Sequence, residues 1–252
     1  MISPESPGPV IWEDSFERAD IREGWGAVQE VQSDHSARTS TAYARDGARS
    51  ARFEVRDGDN GESSTDERQQ LSDALMPDGG SFRPKEGDDL YIALSVYEPL
   101  GFPLREGCCT WQVILEFVSF DARGNGPAKL GHGSANGQFV FESVNTQDPP
   151  GGYYWVDDTL PPMGGWNDFV MHVRFSQNPA VGQLELWHKR PQDATYVKQT
   201  LLNGTTTQHY KTLLEPSAIL KPGLYRSHDF TQTGIVYLDR LKIGTAFRDV
   251  AL

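Results

Sequence analysis

The stretch "DDLYIALSVYEP", Asp88 to Pro99, alternates without interruption. Leu90, Ile92, Leu94 and Val96 fall at every second position, with Tyr91, Ala93, Ser95 and Tyr97 between them. Successive side chains of a strand point to opposite faces, so this pattern predicts one apolar face and one face of aromatic and small residues. "SARFEVRDGDNG", Ser50 to Gly61, repeats it, with Ala51, Phe53 and Val55 opposing Arg52, Glu54 and Arg56 before an Asp/Gly cluster stops the strand. Further strands are predicted in "TWQVILEFV", "GQFVFES", "WNDFVMHVRF", "GQLELWHK", "ATYVKQTL" and "GIVYLDRLKIG". The gaps Asp57 to Asp66, Asp73 to Glu86 and Asp121 to Gly137 are rich in Gly, Asp, Ser and Pro and read as surface loops. About ten to twelve short strands without intervening helices predict an all-β fold, a jelly-roll sandwich of two antiparallel sheets. One domain spanning 1–252 is expected, since sandwiches reach this length as single units.

A net charge of −12 excludes a general nucleic-acid or anionic-membrane binder, because both need a basic surface. The start, "MISPESPGPVIWEDSFE", has no basic region followed by an apolar run, so no signal peptide is expected from it. The only cysteines, Cys108 and Cys109, are adjacent and read as two free thiols. The six histidines are scattered, without a zinc-ligand spacing.

"ILKPGLYRSHDF", Ile219 to Phe230, places Lys221, Gly223 and Tyr225 on one face of a strand and Leu224 on the other. Taken in order, "GARSARFEVRDGD", "DERQQL", "GDDLYIALSVYEP", "WQVILEF", "GGWNDFVMHVRFSQNPAVGQLELW", "LKPGLYR" and "IVYLDRLKIG" resemble the heparin lyase I and glucuronan lyase group of polysaccharide lyases. "KPGLYR" is also similar to the K-A-G-x-Y signature of alginate lyases, which share the jelly-roll fold. The resemblance implies β-elimination across the 4-position bond of a uronic acid. That chemistry needs a neutralised carboxylate, a base for the C5 proton and an acid for the departing oxygen. Carried over, Tyr225 is the proton donor and a candidate base, and Arg68 of "DERQQL" binds the uronate. Lys221, Glu116, Arg226 and His228 are expected to contact substrate. A polysaccharide partner also implies an extracellular or virion-associated setting.

One departure stands out. The family's Q-x-H triplet is replaced by Glu116, Phe117 and Val118, which removes the histidine base and sets a carboxylate against the substrate's own. On this reading Glu116→Gln strengthens uronate binding. His132, His172, His188 and His228 are the histidines that could substitute. Two rival readings stand beside the lyase: a noncatalytic glycan-binding domain, as on a viral tail, and a glycosidase pairing Glu116 with Glu185. "WEDSFERAD" and "YLDRLKIG" resemble the terminal strands of sandwiches tied by calcium, which makes Glu17 and Asp239 expected ligands of a structural Ca2+. No organic cofactor is expected. Asp57, Asp59 and Asp66 read as solvated loop charge.

Overall fold

The computed structural model describes residues 10–30, 34–60, 65–119, 126, 128–134, 136–143 and 152–252. Its strands are β1 (Val10–Asp14), β2 (Trp25–Glu30), β3 (Arg38–Ser40), β4 (Ser50–Val55), β5 (Glu67–Ala74) and β6 (Asp89–Tyr97). There follow β7 (Gln112–Ser119), β8 (Ala128–His132), β9 (Phe139–Glu142), β10 (Tyr153–Val156) and β11 (Trp166–Arg174). The last are β12 (Gln183–Lys189), β13 (Val197–Lys198), β14 (Gln208–His209), β15 (Ala218–Arg226) and β16 (Gly234–Gly244). A four-residue helix, α1 (Phe247–Val250), comes after them.

Every pairing among these strands is antiparallel, and they form two sheets. The first runs β13-β12-β11-β6-β16-β4-β3, with β1 on β16 and β14 on β12. The second runs β10-β9-β8-β7-β15-β5-β2. Leu90, Ile92, Leu94 and Val96 of β6 and Phe53 and Val55 of β4 meet Leu71, Phe117, Leu220 and Leu224 of the second sheet in one core. Burying each such side chain stabilises the fold by roughly 1.5–3 kcal/mol. The molecule is a jelly-roll sandwich, and the alternation in Asp88 to Pro99 is the pattern of its inner face.

The opposite face of β6 is also covered. Ser95 donates to Asp168 (2.7 Å), which takes both Nε and NH2 of Arg45 (3.0 Å each). Tyr97 stacks on Tyr43 with ring centroids 4.2 Å apart.

Several expectations change. "ATYVKQTL" keeps only Val197–Lys198 as strand. The gap Asp121 to Gly137 contains β8, whose five residues are all buried and so show no polar alternation. Positions 61–64 of the first predicted loop and 121–125, 127 and 135 of the third lie outside the described residues. Asp59 is not solvated: it is buried, 2.7 Å from His35 Nε2.

Candidate active site

The site forms on the outer face of the second sheet, around its central strand β15. Lys221 stands opposite Glu116 of β7, and Tyr225 stands opposite both Arg68 of β5 and Val113 of β7. Between these points the register with β7 shifts, so that Gly223 and Leu224 face a single residue. Such a bulge admits Pro222, which has no amide to give a ladder, and it re-aims the side chains that follow. Gly223 adopts φ +147, and a Cβ there would lie 2.2 Å from the carbonyl oxygen of Gln69. Glycine is therefore required between lysine and tyrosine by backbone sterics rather than by substrate. Gly223→Ala is expected to cost about 2 to 4 kcal/mol through strain and displaced backbone. A urea midpoint equal to that of the parent would show that the bulge tolerates a side chain.

At one end of the site the Arg68 guanidinium carbon lies 4.0 Å from the Tyr225 ring centroid. Trp111 meets the same ring edge-on at 4.8 Å. The Tyr225 hydroxyl donates to Asp66 Oδ2 at 3.4 Å, and His228 Nδ1 lies 3.2 Å from Oδ1 of the same carboxylate. Burial raises the pKa of the Tyr225 phenol, and the opposing pull of Arg68 does not cancel it, so the phenol is protonated at neutral pH.

One step along the sheet, four strands present charges of alternating sign. Glu142 of β9 is opposite Lys129 of β8, Lys129 is opposite Glu116, and Glu116 is opposite Lys221. Glu116, 2% exposed, has Lys129 Nζ at 2.9 Å and Lys221 Nζ at 3.4 Å, and accepts from Gln70 Nε2 at 3.1 Å. Burial works to raise its carboxyl, but the two lysines outweigh burial and hold it below the usual range. Burial lowers Lys221, against the pull of Glu116. Glu142, further from compensation, is pushed up to about 7 by burial.

A family model described as polysaccharide lyase matches residues 17–242. The chain belongs to the polysaccharide lyase family. Among solved structures, the lyase chain is similar to the endo-β-1,4-glucuronan lyase of the fungus Trichoderma reesei. The TM-score is 0.65 at 13% identity, over 96% of this chain and 98% of that one. It is also similar to the catalytic domain of the glycoside hydrolase family 131 protein from Coprinopsis cinerea. There the TM-score is 0.68 at 13% identity, covering 97% and 98%. A third, the PL-14 alginate lyase from Aplysia kurodai, gives 0.60 at 13% identity, covering 94% and 100%. At such identities the likeness is one of fold. No curated protein matches the chain.

The structure brings Tyr225, Arg68, Lys221, Glu116 and His228 to one region and removes other expected participants from it. Arg226 follows Tyr225 and points the opposite way. It is 0% exposed, its Nε donates to Glu67 (2.7 Å) and its NH1 donates to the Gln232 carbonyl (2.6 Å), so it is a core residue and not a substrate contact. His132 also faces inward, 2.5 Å from Glu98. His188 is buried against Phe169. His172 bridges Asp89 (2.5 Å) and Glu185 (2.9 Å) on the first sheet. That position puts Glu185 on the other sheet from Glu116, so the two carboxylates cannot flank one glycosidic bond. Nor does Glu116 present a bare charge to a uronate, since Lys129 and Lys221 enclose it.

The expected calcium ligands, Glu17 and Asp239, both hold backbone amides of one turn. Glu17 Oε1 accepts the amides of Ala48 and Arg49 (2.9 Å each), and Asp239 Oδ2 accepts those of Arg45 (2.8 Å) and Asp46 (3.2 Å). The other oxygen of Asp239, Oδ1, accepts the amide of Arg240 at 2.7 Å, so backbone amides are the partners of both carboxylates. Among the described residues no group of three acidic, histidine or cysteine side chains gathers for a metal. Glu17 and Asp239 instead clamp the 45–49 turn over the first sheet.

Residues that the sequence reading passed over complete the site: Asp66, Gln70, Trp111, Lys129 and Glu142. Asp66 is not solvated loop charge, since it holds Tyr225 and His228, and Lys129 lies on β8 rather than in a loop. Their roles arise from cross-strand register, for which a sequence carries no local signal.

Proposed function

We propose that the protein cleaves a uronic-acid-containing polysaccharide by β-elimination, with Tyr225 protonating the departing 4-position oxygen. The observation that carries this reading is the Arg68–Tyr225 contact on the outer face of β5 and β15. A protonated phenol can give up its proton in the transition state, and the adjacent guanidinium stabilises the phenolate that forms. The same guanidinium is placed to offset a uronate carboxylate, which acidifies the C5 proton. Lys221, at the edge of the charge ladder beside it, adds a cation on the side of Arg68 and supports an anionic chain over a neutral one. A polymer of this kind also places the protein's work outside cells or on a virion surface.

Val113, the β7 residue opposite Tyr225, favours the second reading, a noncatalytic glycan-binding domain, because it supplies no base. Incubation with a panel of uronate polymers separates the two. New reducing ends accompanied by the ultraviolet absorbance of a C4–C5 double bond are expected. Binding without either signal would establish the glycan-binding reading, and reducing ends without absorbance would mean hydrolysis.

A further inference from the structure

We propose that His228 is the base that takes the C5 proton and that Asp66 positions it, an assignment that rests on the lyase reading above. Elimination needs a proton acceptor, and β7 offers Val113 opposite Tyr225. Tyr225 carries its proton at neutral pH, held there by burial, and its hydroxyl points that proton at Asp66, which suits it to the acid role. Of the groups around it, Arg68 has no lone pair to give and Trp111 has no basic atom. Among the described residues the hydroxyl's hydrogen-bond partner is Asp66, and Asp66 also holds His228.

The geometry fixes which imidazole nitrogen is available. A carboxylate accepts, so the Asp66 oxygen 3.2 Å from Nδ1 places the ring proton on Nδ1 and leaves the lone pair on Nε2. Nε2 is 3.6 Å from Asp229, beyond a hydrogen bond, and the His228 side chain is 57% exposed. One carboxylate thus holds the acid through Oδ2 and the base through Oδ1. The step balances within this set. The C5–H bond breaks and its proton goes to Nε2, while its electron pair becomes the C4–C5 double bond. The C4–O4 bond breaks and O4 takes the phenol proton. The imidazolium, stabilised meanwhile by Asp66 and open to solvent, then gives its Nε2 proton to water, and the phenolate takes a proton from water, which restores both groups.

The charged groups acting on His228 are Asp66 and Glu67, at the start of β5, and Asp229 of its own turn. The hydrogen bond to Asp66 is the foremost of these effects, and His228 ionises above its usual range. A base must be unprotonated to act, so activity rises with pH through that ionisation.

The test measures kcat and KM against pH on a uronate polymer that the wild-type protein cleaves. His228→Gln should lower kcat about 100-fold or more, with KM little changed and the acid limb of the profile gone. His228→Gly should recover activity when imidazole is added, which a structural role would not produce. Asp66→Asn should move the acid limb to lower pH, since it removes the anion favouring the charged ring. A His228→Gln enzyme within about threefold of wild type with its acid limb in place would overturn the assignment. So would failure of imidazole to rescue His228→Gly, or an unmoved limb in Asp66→Asn. If the wild-type protein produces no absorbance with any uronate polymer, the lyase reading falls, and this assignment with it.

Discussion

Glu116→Gln should melt well below the parent protein and bind anionic polymers more tightly. The glutamine keeps the shape of the side chain, so the loss arises from Lys129 and Lys221, which remain buried with no anion between them. Breaking a buried ion pair by removing one partner costs about 3 to 5 kcal/mol. Two adjustments reduce the loss here. Glu142 lies opposite Lys129 and ionises more readily once the neighbouring negative charge is gone. Lys221 is already lowered by burial and can release its proton. A net loss of about 3 kcal/mol lowers the melting temperature by about 6 to 12 °C for a chain of this size. Both adjustments are deprotonations, so the deficit shrinks as pH rises and is largest below the Glu142 ionisation at about 7. Affinity for a uronate polymer should rise about tenfold at low salt and less at high salt. The gain comes from the positive charge left unbalanced on Lys129 and Lys221, not from ending a repulsion, and it fades as the two deprotonations remove that charge. Equal melting temperatures across pH, or affinity that ignores the substitution, would show that the ladder carries no electrostatic coupling.

Tyr225→Phe should abolish elimination while leaving the fold intact. The hydroxyl makes one long contact, 3.4 Å to Asp66, and the ring packing with Trp111 and Arg68 survives its removal. General acid catalysis contributes about 10²- to 10⁴-fold, so kcat should fall by that amount with little change in KM or melting temperature. The ultraviolet assay reads this directly. Retention of more than about a tenth of the activity would mean that another group protonates the leaving oxygen.

The fold was legible because its central strands carry clean alternation, as at Leu90 to Tyr97 and Ala51 to Arg56. Strands buried on both faces or confined to an edge carry none, which is why β8, β10 and β14 escaped notice. Tyr225 and Arg68 were legible through motifs. The misreading of Arg226 shows the limit of motifs: the same two-residue period that puts Lys221 with Tyr225 turns Arg226 inward, where Glu67 pairs with it. The meaning of Glu116 could not be read from its own segment, because its partners come from β8 and β15. Asp66 and His228 are 162 residues apart, and only the pairing of β5 with β15 brings them together.

Both sheets are completed late. β16 lies between β6 and β4 in the first sheet, and β15 lies between β7 and β5 in the second. During synthesis, then, a chain that has emerged as far as Pro216 holds half-sheets whose open edges wait for neighbours not yet made. Contacts of such long sequence separation close slowly, and exposed edges invite pairing between chains. The final strands act as keystones, so Tyr225 and His228 meet Asp66, made long before them, only after most of the polypeptide has left the ribosome.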